Sequence, residues 1–289
     1  SSKNDKELEI INGIKFFYIK TLKYKKSNDI RRIINWFIFS WKISKLNRFI
    51  GRKADVIIVS SPSLVSFLGA FNLSKRLKAK LFFDVRDIWP LSIIQLRGFT
   101  NKNLFIRILQ FIEKKAYQHS DIVTSSIKYS YMHMTSMGMD KRKFLYIPNG
   151  FDKEELTRNV KIDKKVLAQI PGNKFIVGYV GSLGETNAIE ILLKVAKQTH
   201  KYKSIIFVIL GQGSELKKLK NNAQRSNLTN VVFIDYISKI NVQSIIKSFD
   251  ILFIGWLNRP IYKFGISPQK IPEYLFSGKP IIHSYSGRG

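Results

Sequence analysis

From Ala54 onward, short continuous apolar runs alternate with segments of helical period. Residues 55–60 (DVIIVS), 80–85 (KLFFDV), 121–125 (DIVTS) and 144–148 (FLYIP) have the pattern of buried strands. Between them, 64–77, 103–118 and 126–137 have the 3/4 spacing of amphipathic helices. A polar, charged stretch follows at 153–172. A second series then begins, with strands predicted at 175–180, 205–210, 230–233 and 250–254 and helices at 187–200, 214–226 and 240–249. Apolar strands alternating with helices predict parallel sheets covered on both faces. The pattern therefore predicts an α/β protein with two doubly wound, Rossmann-like units facing a cleft. Their bounds are 1–152 and 173–289, with 153–172 as the connection. The first series has no leading strand with a Gly-rich turn, and the second has no closing helix. Both units read as incomplete, so weak or absent turnover is expected of this chain alone.

The first fifty residues differ. Residues 8–20 predict a hairpin around Asn12-Gly13. Residues 28–50 predict a helix capped by Asn28 or Asp29. Its apolar face holds Ile33, Ile34, Phe37, Ile38 and Trp41, widened by Trp36, Phe39 and Ile43. Arg31, Arg32, Lys42, Lys45 and Arg48 surround that face. Such a helix is either a buried element with a snorkelling basic rim or an interfacial helix on an anionic membrane. No run is long and apolar enough to span a bilayer.

Composition narrows the chemistry. The 289 residues contain no Cys, which excludes thiolate catalysis and Cys-ligated metal, and the four His are scattered, so no metal site is expected. The net charge of +29 favours polyanionic partners: nucleic acid, anionic membrane or phosphorylated substrates. Lys is spread along the whole chain rather than clustered, so no nucleic-acid partner is expected. A compositional bias toward Lys, Ile and Asn would produce the same count.

The candidate chemistry centres on Phe264–Ile282 (FGISPQKIPEYLFSGKPII). Gly265 and Ile266 form a backbone-lined approach. Ser267 is placed to cap a helix, with Pro268 at its first position and Lys270 in its first turn. A cation at the positive end of a helix suggests a bound anion. Glu273 follows one turn on, as an acceptor for vicinal hydroxyls or as a plain i,i+3 partner of Lys270. A second candidate anion site is the turn Gly181, Ser182, Leu183, Gly184, followed by Asn187. Gly211 and Gly213 follow the next strand. Helix starts near 184–188 and 267–270 are expected to converge on one diphosphate. In the first unit, Arg86-Asp87 follows a strand. The two form a structural ion pair, or they face the substrate, with Asp87 able to accept a hydroxyl proton.

The ordered set DVRDIWP (84–90), YIPNGFD (146–152), GYVGSLGETNAIEILLKVA (178–196), VILGQGSELKKL (208–219) and FGISPQKIPEYLFSGKPII resembles glycosyltransferase family 4. These are retaining GT-B enzymes, and the likeness is to the branch of bacterial O-antigen, capsule and exopolysaccharide assembly. The resemblance implies a UDP-sugar donor, no metal and a polyprenyl-diphosphate-linked glycan acceptor. It also implies a cytoplasmic location, peripheral on the inner face of the cytoplasmic membrane. Arg86, Asp87 and Lys270 would be catalytic. Gly181, Ser182, Leu183, Gly184, Asn187, Gly211, Gly213, Gly265, Ile266, Ser267 and Glu273 would bind the sugar nucleotide. The chain departs from the family at three positions. Gly265 stands where the first of two paired Glu residues is usual, and Ser182 and Asn187 stand where Arg and Lys are usual. Lys270, with Lys263 or Arg259, would then supply the positive charge. A GT-B-like sugar-nucleotide epimerase and a non-catalytic basic binding protein are the competing functions.

Overall fold

The computed structural model describes residues 6–23, 30–47, 54–61, 63–157, 161–162, 164–235 and 237–285. Compactness divides the chain into two units. The first runs to Pro148 and includes Lys263–Gly265; the second takes up the chain at Asn149.

In the first unit, β1 (Lys6–Ile11) and β2 (Ile14–Ile19) form an antiparallel hairpin with Ile11 opposite Ile14. Asn12 (φ 52°) and Gly13 (φ 79°) supply the two left-handed residues of a tight turn whose twist matches the strands. The pair forms its own two-stranded sheet. The helix α1 spans Ile30–Ser44; the caps predicted at Asn28 and Asp29 lie outside the described residues. It packs with α2 (Leu64–Leu77). The buried face of α1 differs from the predicted one. Asn35, Ser40 and Ser44 are buried, while Ile34, Phe37 and Trp41 are exposed. Small residues allow the close approach of the two helices. Gly69 donates its N–H to Ser40 Oγ at 2.9 Å, and a Cβ at 69 would collide with the Ser40 carbonyl. Asn35 binds the backbone N–H and C=O of Leu22 at 2.8 and 2.7 Å. The periodicity located a helix correctly, but backbone proximity rather than side-chain size decided its inner face.

The parallel sheet of this unit runs β3 (Val56–Ser60), β4 (Lys80–Val85), β5 (Ile122–Ser125), β6 (Phe144–Tyr146) in spatial order. With α2, three helices connect it: α3 (Leu91–Arg97), α4 (Leu104–His119) and α5 (Tyr131–Ser136). The helix predicted at 126–137 is limited to its second half. Asn103 caps α4 through Phe105 and Ile106 N–H. Phe67, Phe83, Leu109, Tyr117 and Met134 form the core.

The second unit has one five-stranded parallel sheet: β7 (Phe175–Val180), β8 (Ile205–Leu210), β9 (Val231–Ile234), β10 (Ile251–Ile254) and β11 (Ile281–His283). Its spatial order is β11-β10-β7-β8-β9. The chain builds outward from β7 through β9, then returns to the other side of β7. That reversal makes the carboxyl ends of β7 and β10 a topological switch point, where open α/β sheets form ligand crevices. Helices α8 (Ile189–Gln198), α9 (Leu216–Arg225), α10 (Val242–Ile246) and α11 (Lys270–Phe276) cover the sheet. The stretch 153–172 contains α6 (Lys153–Thr157) and α7 (Lys164–Leu167). Ile162, Val166 and Ile170 pack on the second core, so this segment belongs to the unit that follows it.

Candidate nucleotide site

A cavity of about 730 Å³ opens at the switch point of the second unit. Its walls come from the segments after β7, β8, β9 and β10 and from the start of α11. Of the residues singled out in the sequence, Gly181, Ser182, Asn187, Gly211, Lys270 and Glu273 line it.

The loops can meet because of glycine. Gly211 has φ 145°, and a Cβ there would enter the space of the Gly181 carbonyl. Gly213 is pressed in the same way against the Leu183 backbone. The loop is held by its own hydrogen bonds. Gly181 N–H donates to Leu210 O at 3.0 Å and Leu183 N–H to Gln212 O at 2.8 Å. Two of the four N–H groups expected to face a phosphate are therefore used internally. The Leu183 side chain is fully buried in the core. Its part is structural.

Lys270 is the chemical centre of the cavity. Its Nζ donates to Tyr179 Oη at 2.8 Å and to Asn187 Oδ1 at 3.1 Å, and it lies 4.2 Å from the Tyr179 ring centroid. Burial lowers its pKa to about 8, and the nearby Glu273 charge opposes that shift. Burial also pushes the Tyr179 phenol well up. Both hydrogen-bond partners of the ammonium are neutral, and a buried cation with neutral partners attracts an anion. Glu273 lines the same cavity one turn on, and its backbone carbonyl accepts from Gln243 Nε2 at 2.9 Å.

The helix start differs from the sequence expectation. α11 begins at Lys270 with Gln269 before it, so Ser267 is not its N-cap. The Ser267 carbonyl and hydroxyl instead accept from Asn149 Nδ2 at 2.8 and 3.0 Å. A side-chain amide draws the Ser267 polar groups away from the helix. Gly265 (φ 102°) and Ile266 precede this joint and do not line the cavity. The second expected helix start is also displaced. A 3-10 turn covers Glu185–Asn187, Ala188 turns left-handed at φ 48°, and α8 opens at Ile189. Its first turn and Gly184 line a separate hollow of about 400 Å³. Thr186 and Asn187 of the 3-10 turn nevertheless line the main cavity together with Pro268, Gln269 and Lys270.

In the first unit, Asp87 is turned toward its own loop. Its Oδ2 accepts from Trp89 Nε1 at 2.9 Å and Ser92 Oγ at 3.1 Å, and burial raises its pKa. Arg86 is half exposed and lies 3.6 Å from Asp84, so it makes no ion pair with Asp87. Among the described residues no cluster of His, Asp and Glu is placed to hold a metal ion. Sequence patterns missed Tyr179, Tyr274 and Asn149. The two tyrosines read as ordinary aromatic positions in a strand and a helix, and no short-range signal marks the partners they meet.

The fold is of the GT-B class, two Rossmann-like parallel-sheet units. The model of the family described as glycosyl transferases group 1 matches residues 160–287. A curated relative is the putative colanic acid biosynthesis glycosyl transferase WcaI of Escherichia coli (strain K12). It is 25% identical over 230 residues, which cover 77% of this chain and 54% of WcaI. The chain thus spans about half the length of that relative. Sucrose-phosphate synthase from Thermosynechococcus elongatus superposes with TM-score 0.75 at 14% identity, covering 99% of this chain and 69% of its own. Anabaena HepE, in complex with UDP-glucose, superposes with TM-score 0.60 at 17% identity, covering 86% and 63%.

Proposed function

We propose that this protein is a retaining glycosyltransferase of the family 4 type, that the second-unit cavity binds a UDP-linked sugar, and that the acceptor is a lipid-linked glycan. The observation that carries the proposal is the Lys270 ammonium, buried at the switch-point crevice with neutral hydrogen-bond partners. A diphosphate adds negative charge to that of Glu273 beside the ammonium. The name of WcaI and the UDP-glucose bound to HepE support the same chemistry.

In this reading Lys270 stabilises the charge that develops on the departing diphosphate. One such contact is worth about 3 kcal/mol in a preorganised site. Glu273 accepts the ribose hydroxyls. The bond from the anomeric carbon to the phosphate oxygen breaks, and the acceptor oxygen bonds to the same face of that carbon. The departing phosphate oxygen takes the acceptor proton, so no protein base is required. Arg86 and Asp87 belong to the acceptor side: Asp87 shapes the loop and Arg86 offers an exposed cation. The exposed Ile34, Phe37 and Trp41 stripe on α1, bordered by basic residues, suits an acceptor held at the inner face of the cytoplasmic membrane.

The test is thermal unfolding with UDP, followed by donor turnover with a lipid-linked acceptor. UDP is expected to raise the unfolding temperature, and UDP release is expected to require the acceptor. Absence of any UDP effect overturns the reading.

A further inference from the structure

We propose that Tyr179 and Asn187 are positioning residues that aim the Lys270 ammonium at the bound diphosphate, with Ser182 orienting both. The inference rests on the nucleotide reading above and extends it to groups that do not themselves carry the charge.

Hydrogen-bond direction fixes both acceptors. A phenol has one proton to donate. That of Tyr179 goes to the Ser182 carbonyl at 2.7 Å. Toward Lys270 the oxygen can therefore only accept. Asn187 is fixed in the same way: its Nδ2 donates to Ser182 Oγ at 3.3 Å, so its Oδ1 is turned to Lys270. One residue of the glycine loop thus sets two acceptors, and both are aimed at one Nζ. An ammonium has three protons. Two are taken by these acceptors, which leaves one for an anion in the cavity. Gly181 completes the seat, because a Cβ there would stand 3.0 Å from Nζ. Tyr179 is fully buried on β7 and Asn187 nearly so, so neither acceptor drifts. The other charged or titratable groups around Lys270 are Glu273 and Tyr274 on α11 and Lys239 across the cavity.

The experiment is calorimetric titration of the full chain with UDP from pH 6.5 to 9.5, in a double-mutant cycle. Lys270→Gln, Tyr179→Phe, Asn187→Ala and each pair with Lys270→Gln are compared. Tyr179→Phe is expected to weaken UDP binding about five- to tenfold and to move the alkaline loss of affinity to lower pH. In the Lys270→Gln background the same change is expected to add less than about twofold. Equal effects in both backgrounds would show a merely structural role and overturn the inference. So would unchanged affinity and pH profile in Tyr179→Phe while Lys270→Gln binds weakly. Should Tyr179→Phe not fold, the Asn187→Ala cycle decides by the same criteria. If Lys270→Gln itself binds UDP normally, the nucleotide reading fails and the inference falls with it.

Discussion

Tyr274 and Val180, 94 positions apart, exchange two hydrogen bonds. The phenol oxygen accepts the Val180 N–H at 2.8 Å and donates to the Val180 carbonyl at 3.2 Å. The last residue of β7 is thereby satisfied by a helix side chain, and α11 is tied to the strand that precedes the glycine loop. Lys270 lies one turn upstream on the same helix, so this pair sets its height above the sheet. Tyr274→Phe removes the hydroxyl that bonds to both backbone atoms. The expected loss of stability is about 1–3 kcal/mol, read from the urea midpoint at unchanged slope. A loss near zero would mean that water replaces the phenol.

Lys270 makes stability depend on alkaline pH. Its folded pKa is lowered to about 8, against 10.5 unfolded. Between those values the unfolded chain binds more protons, so stability rises as pH increases from about 8 to 10.5 and is lost again as pH falls. The contribution is about 3 kcal/mol at most. Other Lys residues titrate too, so the measurement is a difference: urea midpoints at pH 7.5 and 10 for the native chain and Lys270→Met. The native chain is expected to gain more. Equal gains would place Lys270 in solvent.

Gly211 and Gly184 carry opposite expectations although both border the loop. Ala at 211 meets the Gly181 carbonyl, and its φ of 145° strains any side chain. Gly211→Ala is expected to cost about 1–3 kcal/mol and to weaken UDP binding. At 184 the nearest atom to a new Cβ is 3.9 Å away. Gly184→Ala should stay within about 0.5 kcal/mol of the native chain. Thermal unfolding of the two variants side by side makes the comparison.

Glu113 is buried in the first unit, with Tyr117 Oη 3.1 Å and His133 Nε2 2.8 Å from its Oε1. Burial raises its pKa, while the His133 and Tyr117 contacts oppose the rise. Glu113→Gln keeps an acceptor for Tyr117, and Glu113→Ala does not. The alanine variant is expected to be less stable than the glutamine variant by about 1–3 kcal/mol, measured by urea unfolding. Equal stabilities would show that the carboxyl group is not needed as an acceptor.

Trp41 is 57% exposed on α1, with Lys45 Nζ 3.8 Å from its ring centroid. Trp41→Ala is expected to change stability by less than about 1 kcal/mol. Its effect should appear in co-sedimentation with anionic vesicles, which is expected to fall. A loss of several kcal/mol in stability would instead mark a buried ring.

Much of the architecture was legible because it is local. Apolar runs of strand length alternating with 3.6-period segments place β3 to β5, β7 to β10 and the longer helices within a few residues, although the expectation of burial fails for Val56 and Ile58 on β3, at the edge of its sheet. Asn12-Gly13 specifies its hairpin by backbone sterics alone. The glycine that follows β8, Gly211, and the Lys-Glu spacing of α11 were equally visible, so part of the cavity wall could be named in advance.

What tertiary structure decided are the pairings. No pattern says that α1 buries Asn35 and Ser40 instead of Trp41, because that follows from a helix backbone resting on Gly69. No cap rule foresees Asn149 taking the Ser267 oxygens from a helix start 118 positions away. The seat of Lys270 is the clearest case. The chain determines by itself that a lysine lies in the first turn of a short helix and that a glycine turn follows an earlier strand. Only folding brings Tyr179 and Asn187 within hydrogen-bond reach of it, because those groups lie 91 and 83 positions away. Hydrogen bonds act over about 3 Å and carry no trace in sequence spacing.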